Sequence, residues 1–178
     1  VCRGKGYGTA SLAEIAASLD ISRSAVLHHF GSKQAVLEEV IAPLVSELDA
    51  LLDRREAAGR LTPRTRRPFL VELVDIVCDH PDAAVIMSFD TAIRHRLGGD
   101  LQITERGVRF ARLAAVNQAD PHAAVRALAA LGAILRPAYN PTGIVDLDDP
   151  EVRRTIVDCA MAVYSTAPRA TLSMPPDT

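Results

Sequence analysis

Apolar residues recur along this chain at three- and four-residue intervals, and most stretches of that pattern open behind a capping side chain. Ser11 and Glu14 have capping-box spacing, with Leu12, Ile15, Ala16 and Leu19 forming one apolar stripe behind them. Ser22 opens a second pattern of roughly two turns that carries Ala25, Val26 and His29. Ser32 opens a third and much longer one, through Val36, Leu37, Val40, Ile41, Leu44, Leu48 and Leu52. Pro43 falls inside it and, lacking a backbone donor, is expected to bend the helix there.

The stretch GRLTPRTRRP, residues 59–68, interrupts this pattern with glycine, two prolines and a run of arginines. It predicts a connector to a second region, with Arg64, Arg66 and Arg67 in a solvated loop or touching a neighbouring helix. Helical spacing resumes with Phe69, Leu73, Ile76, Val77 and His80. Pro81 then starts a helix bearing Val85, Ile86, Phe89, Ile93 and Leu97. GGD at 98–100 reads as a loop, and residues 101–118 as a helix with Ile103, Val108, Phe110 and Leu113 on it. Asp120-Pro121 and Asp149-Pro150 repeat one helix start, aspartate as cap and proline at the first helical position. The first of these helices is rich in alanine, and the second carries Val152, Ile156, Val157, Ala160 and Tyr164. The tail TLSMPPDT reads as frayed. With no strand alternation and no internal repeat, the predicted fold class is all-α.

Composition narrows the function. A chain of 178 residues with 48% hydrophobic content is long enough for a real core. The net charge of −2 excludes a uniformly basic nucleic-acid coat, though not a local patch. Residues 1–33 hold such a patch: Arg3, Lys5, Arg23 and Lys33 stand against Glu14 and Asp20. Cys2, Cys78 and Cys159 are odd in number and far apart, which argues against a disulfide framework or a zinc knuckle and for a reducing cytoplasm. No apolar run reaches membrane-spanning length and no signal-peptide pattern opens the chain, so no membrane partner is expected.

Two short helices joined by a tight turn form a helix-turn-helix. Leu12 to Leu19 is the supporting helix, Asp20-Ile21-Ser22 the turn with Ile21 as inward plug, and Arg23 to His29 the second helix. An α-helix fits the major groove of DNA, and this one would present Arg23, Ser24, Leu27 and His28. Arginine reads guanine or grips phosphate, serine and histidine hydrogen-bond to base edges or phosphates, and leucine offers apolar contact to a thymine methyl. By spacing alone a generic helical hairpin remains open as the alternative.

Residues 6–41, GYGTASLAEIAASLDISRSAVLHHFGSKQAVLEEVI, resemble the DNA-binding segment of the TetR (tetracycline-repressor-like) family of bacterial transcription regulators. Gly6-Tyr7, Ala10-Ser11, Ile15-Ala16, Ile21-Ser22, His29-Phe30, Ser32-Lys33 and Leu37 carry the match. The chain departs from the family pattern at Leu27, where tyrosine is usual, at Asp20 and Ser24, where glycine is usual, and at Ala10, where threonine is frequent. Nearly all of the family's first helix is missing, and the natural protein is expected to extend upstream. The resemblance implies a helix-turn-helix region over residues 1–45 and a helical ligand-binding and dimerisation domain over 46–178. It implies that the starts of the Ser11 and Ser32 helices grip phosphate with Lys33 adding charge, that Ser22, Arg23, Ser24, Leu27 and His28 face the duplex, and that His29 and Phe30 support the fold.

Other features invite other chemistry. GKGYG at 4–8 lacks the lysine-serine of a phosphate loop and any strand before it, which leaves a turn. His28 and His29 are adjacent on a helix and point apart, without an HExxH or a cysteine partner, so no metal is expected. No serine sits in a nucleophile elbow, so the chain is read as no enzyme, and no cofactor is expected.

In the second region, polar or aromatic residues on otherwise apolar helices are the ligand-pocket candidates: His80, Met87, Asp90, Phe110 and Asn117. Asp90 also suits a surface pair with Arg94, and His80 a helix-end cap. Ala124, Ala127, Leu128 and Leu131, with Ile156, Ala160 and Tyr164, are the candidates for a four-helix dimer interface, against ordinary packing within one chain. The expectation is a homodimeric, ligand-responsive regulator, a repressor acting on a near-palindromic operator in double-stranded DNA under an unknown small-molecule effector. The alternative is a helical small-molecule-binding protein or enzyme that keeps the hairpin only as scaffold, and a purely structural adaptor stands third.

Overall fold

The computed structural model describes residues 10–89, 103–114, 120, 122–139 and 143–165. These form eight helices: α1 (Leu12–Ser18), α2 (Arg23–Phe30), α3 (Lys33–Ala57), α4 (Pro63–Asp79), α5 (Pro81–Phe89), α6 (Ile103–Ala114), α7 (Ala123–Ala138) and α8 (Pro150–Ser165). Among the described residues there is no strand, and no helix is long and apolar enough to cross a membrane.

The caps read from the sequence close the first three helices. Ser11 accepts from the Glu14 amide at 3.2 Å while the Glu14 carboxylate accepts from the Ser11 amide at 2.8 Å, a complete capping box. The Ser22 and Ser32 hydroxyls accept from the Ala25 and Ala35 amides, both at 3.0 Å. Asp149 caps α8 by accepting from the Glu151 amide at 2.8 Å. Asp120 receives the His122 amide at 2.9 Å, and α7 itself begins at Ala123. Helix α3 runs unbroken through Pro43, which lies on its exposed side.

The expected connector over residues 59–68 is shorter than its composition suggests. Thr62 and Thr65 form a reciprocal cap and Pro63 takes the first helical position, so α4 starts there and the arginines are helical. Arg67 reaches Asp158 on α8 at 2.7 Å, and the Arg66 guanidinium lies 4.8 Å from the centre of the Tyr164 ring. The arginine run is therefore a seam between two helices.

The core lies behind the helix-turn-helix, where α3, α4 and α5 meet α6, α7 and α8. Ile41, Leu44, Leu61, Leu70, Val74, Val77 and Ile134 are its largest fully buried side chains. Each contributes about 1.5–3 kcal/mol by leaving water. Phe69 and Phe110 stack with centroids 6.0 Å apart and tie α4 to α6. No charged or polar side chain is fully buried among the described residues. The expected positions Ile93 and Leu97, the 98–100 loop, Pro121 and the tail lie outside them.

Candidate nucleic-acid interface and cavity

Helix α1 ends in a left-handed turn. The Ile21 amide reaches back to Ala16 O at 3.0 Å and the Asp20 amide to Ala17 O at 3.3 Å, with Asp20 at φ 54°. This closes the last turn of α1 and turns the chain into α2 within three residues. Asp20 thus occupies the conformation for which glycine is usual, which an aspartate tolerates better than most side chains. Ile21, expected as an inward plug, is 45% exposed, as Leu19 is at 60%. The left-handed residue swings the chain away from α1, so Ile21 leaves the stripe whose buried member is Ala16. The inward anchor is instead Val26, one turn into α2.

Val26 sets the face of α2. With it buried, Arg23, Ser24, Leu27 and His28 all lie exposed on the outer side. His29 is exposed as well and presents its ring edge-on to Phe30, with centroids 4.6 Å apart. Gly31 at φ 73° closes the helix, its amide donating to Leu27 O at 2.8 Å. From Ile21 to Leu37 the chain has no acidic residue, so nothing on this rod repels a phosphate.

Two of the serines in this unit act as the expected caps. The Ser11 and Ser22 hydroxyls are committed to their own caps, and Ser22 Oγ also lies 2.9 Å from Ser24 Oγ. What these caps leave outward is the rest of each first turn, including the Leu12 and Ala13 amides of α1 and the Gln34 amide of α3. Such amides have no intrahelical acceptor and carry the positive end of the helix dipole. The described residues thus present an exposed α2 followed directly along the chain by the N-terminus of α3, with Lys33 at its first position. Among them no group of three His, Cys, Asp or Glu side chains converges on a metal position.

Behind this unit lies a cavity of about 440 Å3. Helix α3 lines it with Leu44, Leu48 and Leu52, α4 with Leu73 and Val77, and α5 with Ala84, Met87 and Ser88. Helix α6 supplies Arg106, Val108, Phe110 and Ala111, and α7 adds Leu128, Leu131 and Leu135. Of the expected pocket residues, Met87 and Phe110 are on this wall. His80 is not: it ends α4 and holds Glu47 of α3 through Nε2 at 3.0 Å. Asp90 and Asn117 lie outside the described residues. The leucine walls were missed because leucine at helical spacing looks the same whether it meets another side chain or an empty volume.

The pocket helix α6 is strapped to α3. Arg106 grips the Asp49 carboxylate through Nε at 2.8 Å and Nη2 at 2.5 Å. Arg109 reaches Asp53 at 2.5 Å and Glu56 at 2.7 Å. The Arg109 guanidinium, hydrogen-bonded to Glu56, holds that carboxyl below the usual carboxylate range. A second groove, of about 500 Å3, runs between α4 and α8. Its charged rim is internally paired, Arg153 with Asp75 and Asp79, Arg67 with Asp158 and Arg154 with Glu151.

The expected dimer residues divide. Ala127, Ile156 and Ala160 are at most 5% exposed within their own chain, where α7 packs on α8, and so offer no surface to a second copy. Leu128 and Leu131 turn to the cavity, and Tyr164 lies half-buried beside Arg66. Only Ala124 is exposed and off the cavity wall. The outward faces of the two helices carry Val125, Ala129 and Gly132 on α7 and Thr155, Cys159 and Ala162 on α8.

Residues 2–40 match the model of bacterial regulatory proteins of the tetR family. No curated protein matches the chain. Among solved structures, a transcriptional regulator of the TerR/AcrR family from Aquifex aeolicus is similar at 18% identity and a TM-score of 0.60, over 91% of this chain and 92% of that one. The TetR family transcriptional regulator PfmR from Thermus thermophilus is similar at 21% identity and a TM-score of 0.56, over 92% of each chain. A TetR/AcrR regulator from Thermobifida fusca is 28% identical with a TM-score of 0.51, over 90% of each chain. The tetR family's model thus falls on the helix-turn-helix, and the chain shares the helical architecture of these TetR/AcrR regulators over nine-tenths of its length.

Proposed function

We propose that the chain is a ligand-responsive repressor that binds a near-palindromic operator as a homodimer, residues up to about 45 forming the DNA-reading region. The observation that carries this reading is the exposed α2, bearing Arg23, Ser24, Leu27 and His28 and joined by one continuous helix, α3, to the wall of a cavity. Two such helices, set apart by dimerisation, enter major grooves one helical turn or more apart. The small exposed residues Ala129, Gly132, Cys159 and Ala162 support a close approach of α7 and α8 between copies. Occupancy of the cavity shifts α3, and hence the spacing of the two reading helices, only if the ligand binds the two arrangements unequally.

The test is selection of bound fragments from a random DNA pool, followed by titration of the selected site at increasing salt. A near-symmetric consensus and an affinity falling steeply with salt are expected. Recovery of fragments without shared sequence refutes the operator.

A further inference from the structure

We propose that the cavity takes an uncharged, lipophilic molecule of about 15 non-hydrogen atoms, an inference that rests on the ligand-responsive reading above. The size follows from the volume of about 440 Å3 at roughly 30 Å3 for each water-sized group. The chemistry follows from the walls. Leucines from three helices, with Met87, Phe110, Val77 and Val108, form most of the described wall. Among the described lining residues only Ser88 and Arg106 carry a polar side-chain group.

Arg106 does not make this an anion site. Its side chain is 14% exposed, and two of its nitrogens hold the Asp49 carboxylate. An anionic ligand would have to displace Asp49 or stand beside it, two negative groups on one guanidinium. Among the described residues no acidic side chain lines the wall to receive a cation. A charged head group carried in among the leucines, away from the open mouth, would lose its water and gain no partner among the described residues, which opposes its entry there. The Ser88 hydroxyl leaves room for one hydrogen bond that orients an otherwise apolar molecule.

Two fluorescent probes on one ring skeleton test this with the full chain: N-phenyl-1-naphthylamine, which is neutral, and 1-anilinonaphthalene-8-sulfonate, which is anionic. The neutral probe is expected to saturate at one per chain and to bind at least tenfold more tightly than the sulfonate. Ala111→Phe and Ser88→Leu each fill part of the cavity, and either one, folded by circular dichroism, is expected to weaken the neutral probe at least tenfold. Val71→Phe, in the groove between α4 and α8, leaves it unchanged. Sulfonate binding as tight as the neutral probe, and lost in Arg106→Met, overturns the uncharged class while the cavity stands as a binding site. Binding that ignores both filling variants, or no saturable binding of either probe, overturns the cavity itself and with it the ligand response. The DNA selection is independent of all these results.

Discussion

Arg106 and Asp49 close a two-bonded fork between the cavity wall and the helix that leaves the DNA-reading unit, with Nε donating to Oδ1 at 2.8 Å and Nη2 to Oδ2 at 2.5 Å. The two partners are unequally buried: the Arg106 side chain is 14% exposed and that of Asp49 34%. Removing the acid strands a cation that is mostly out of water. Removing the arginine leaves Asp49 near solvent and still 3.5 Å from Arg109. Asp49→Ala is therefore expected to cost about 2 kcal/mol and Arg106→Met about 1 kcal/mol or less. Urea unfolding of both variants checks the order, and equal losses would mean that burial does not govern this pair.

Asp20 holds φ at 54° to complete the turn between α1 and α2. Glycine relieves the steric cost of that conformation, and the relief is partly offset by its greater freedom when unfolded. Asp20→Gly is expected to stabilise the protein by roughly 0.5–1 kcal/mol, and Asp20→Val to destabilise it. Thermal unfolding reads both, and an unchanged midpoint for both would mean that the turn relaxes at no cost.

The Glu56 carboxyl is held below its ordinary range first by its hydrogen bond from Arg109. A depressed folded value stabilises the protein above the ordinary carboxylate pKa of 4.5. That contribution fades as pH falls through the lower folded value. Urea midpoints of the wild type and Glu56→Gln should thus differ by a constant amount near neutral pH and converge on acidification below about pH 4. A gap that persists undiminished into strong acid would show that the contact is not ionic.

How far the sequence reveals this molecule depends on whether a residue's chemistry implies a direction in space. Ser11, Ser22, Ser32 and Asp149 do, because a short oxygen-bearing side chain at a helix start has one geometric use, and all four cap as expected. Thr62 carries the same signal, but Pro63 and the arginines around it read as a break until Pro63 is recognised as a first helical position. Alanine implies no direction: Ala127 is buried and Ala129 exposed on one helix, and composition treats them alike. Ile21 misleads because its exposure follows from the left-handed Asp20 before it, a torsion that hydrophobicity does not encode.

Gly132 lies on the outward face of α7, and a Cβ built there meets nothing within 4 Å in its own chain. Gly132→Ala should therefore raise helix stability by about 0.5–1 kcal/mol. Gly132→Trp is tolerated by the single chain but crowds a second copy on the proposed interface. Sedimentation is expected to give dimers for the wild type and monomers for Gly132→Trp, with unchanged helical circular dichroism. Alkylation of the exposed Cys159 should slow as wild-type concentration rises, whereas Cys78, buried and with its thiol pushed up by desolvation, stays unlabelled throughout. A Gly132→Trp protein that remains dimeric places the interface elsewhere.

Arg23 and Lys33 differ in what they can reach. Arg23 opens the exposed rod α2, whose outer side chains would meet base edges in the proposed complex, whereas Lys33 stands at the start of α3, whose first amides would face phosphate there. Arg23→Ala is expected to cost about 1–3 kcal/mol on the selected operator and to relax discrimination at one position of each half-site. Lys33→Ala should weaken operator and random DNA by similar factors and lower the salt slope by about one unit for each neutralised phosphate. Titrations of both variants on operator and scrambled duplexes at several salt concentrations separate the two roles. If Arg23→Ala weakens both duplexes equally and keeps the consensus, the arginine is a phosphate clamp, and reading falls to Ser24, Leu27 and His28 on the same face.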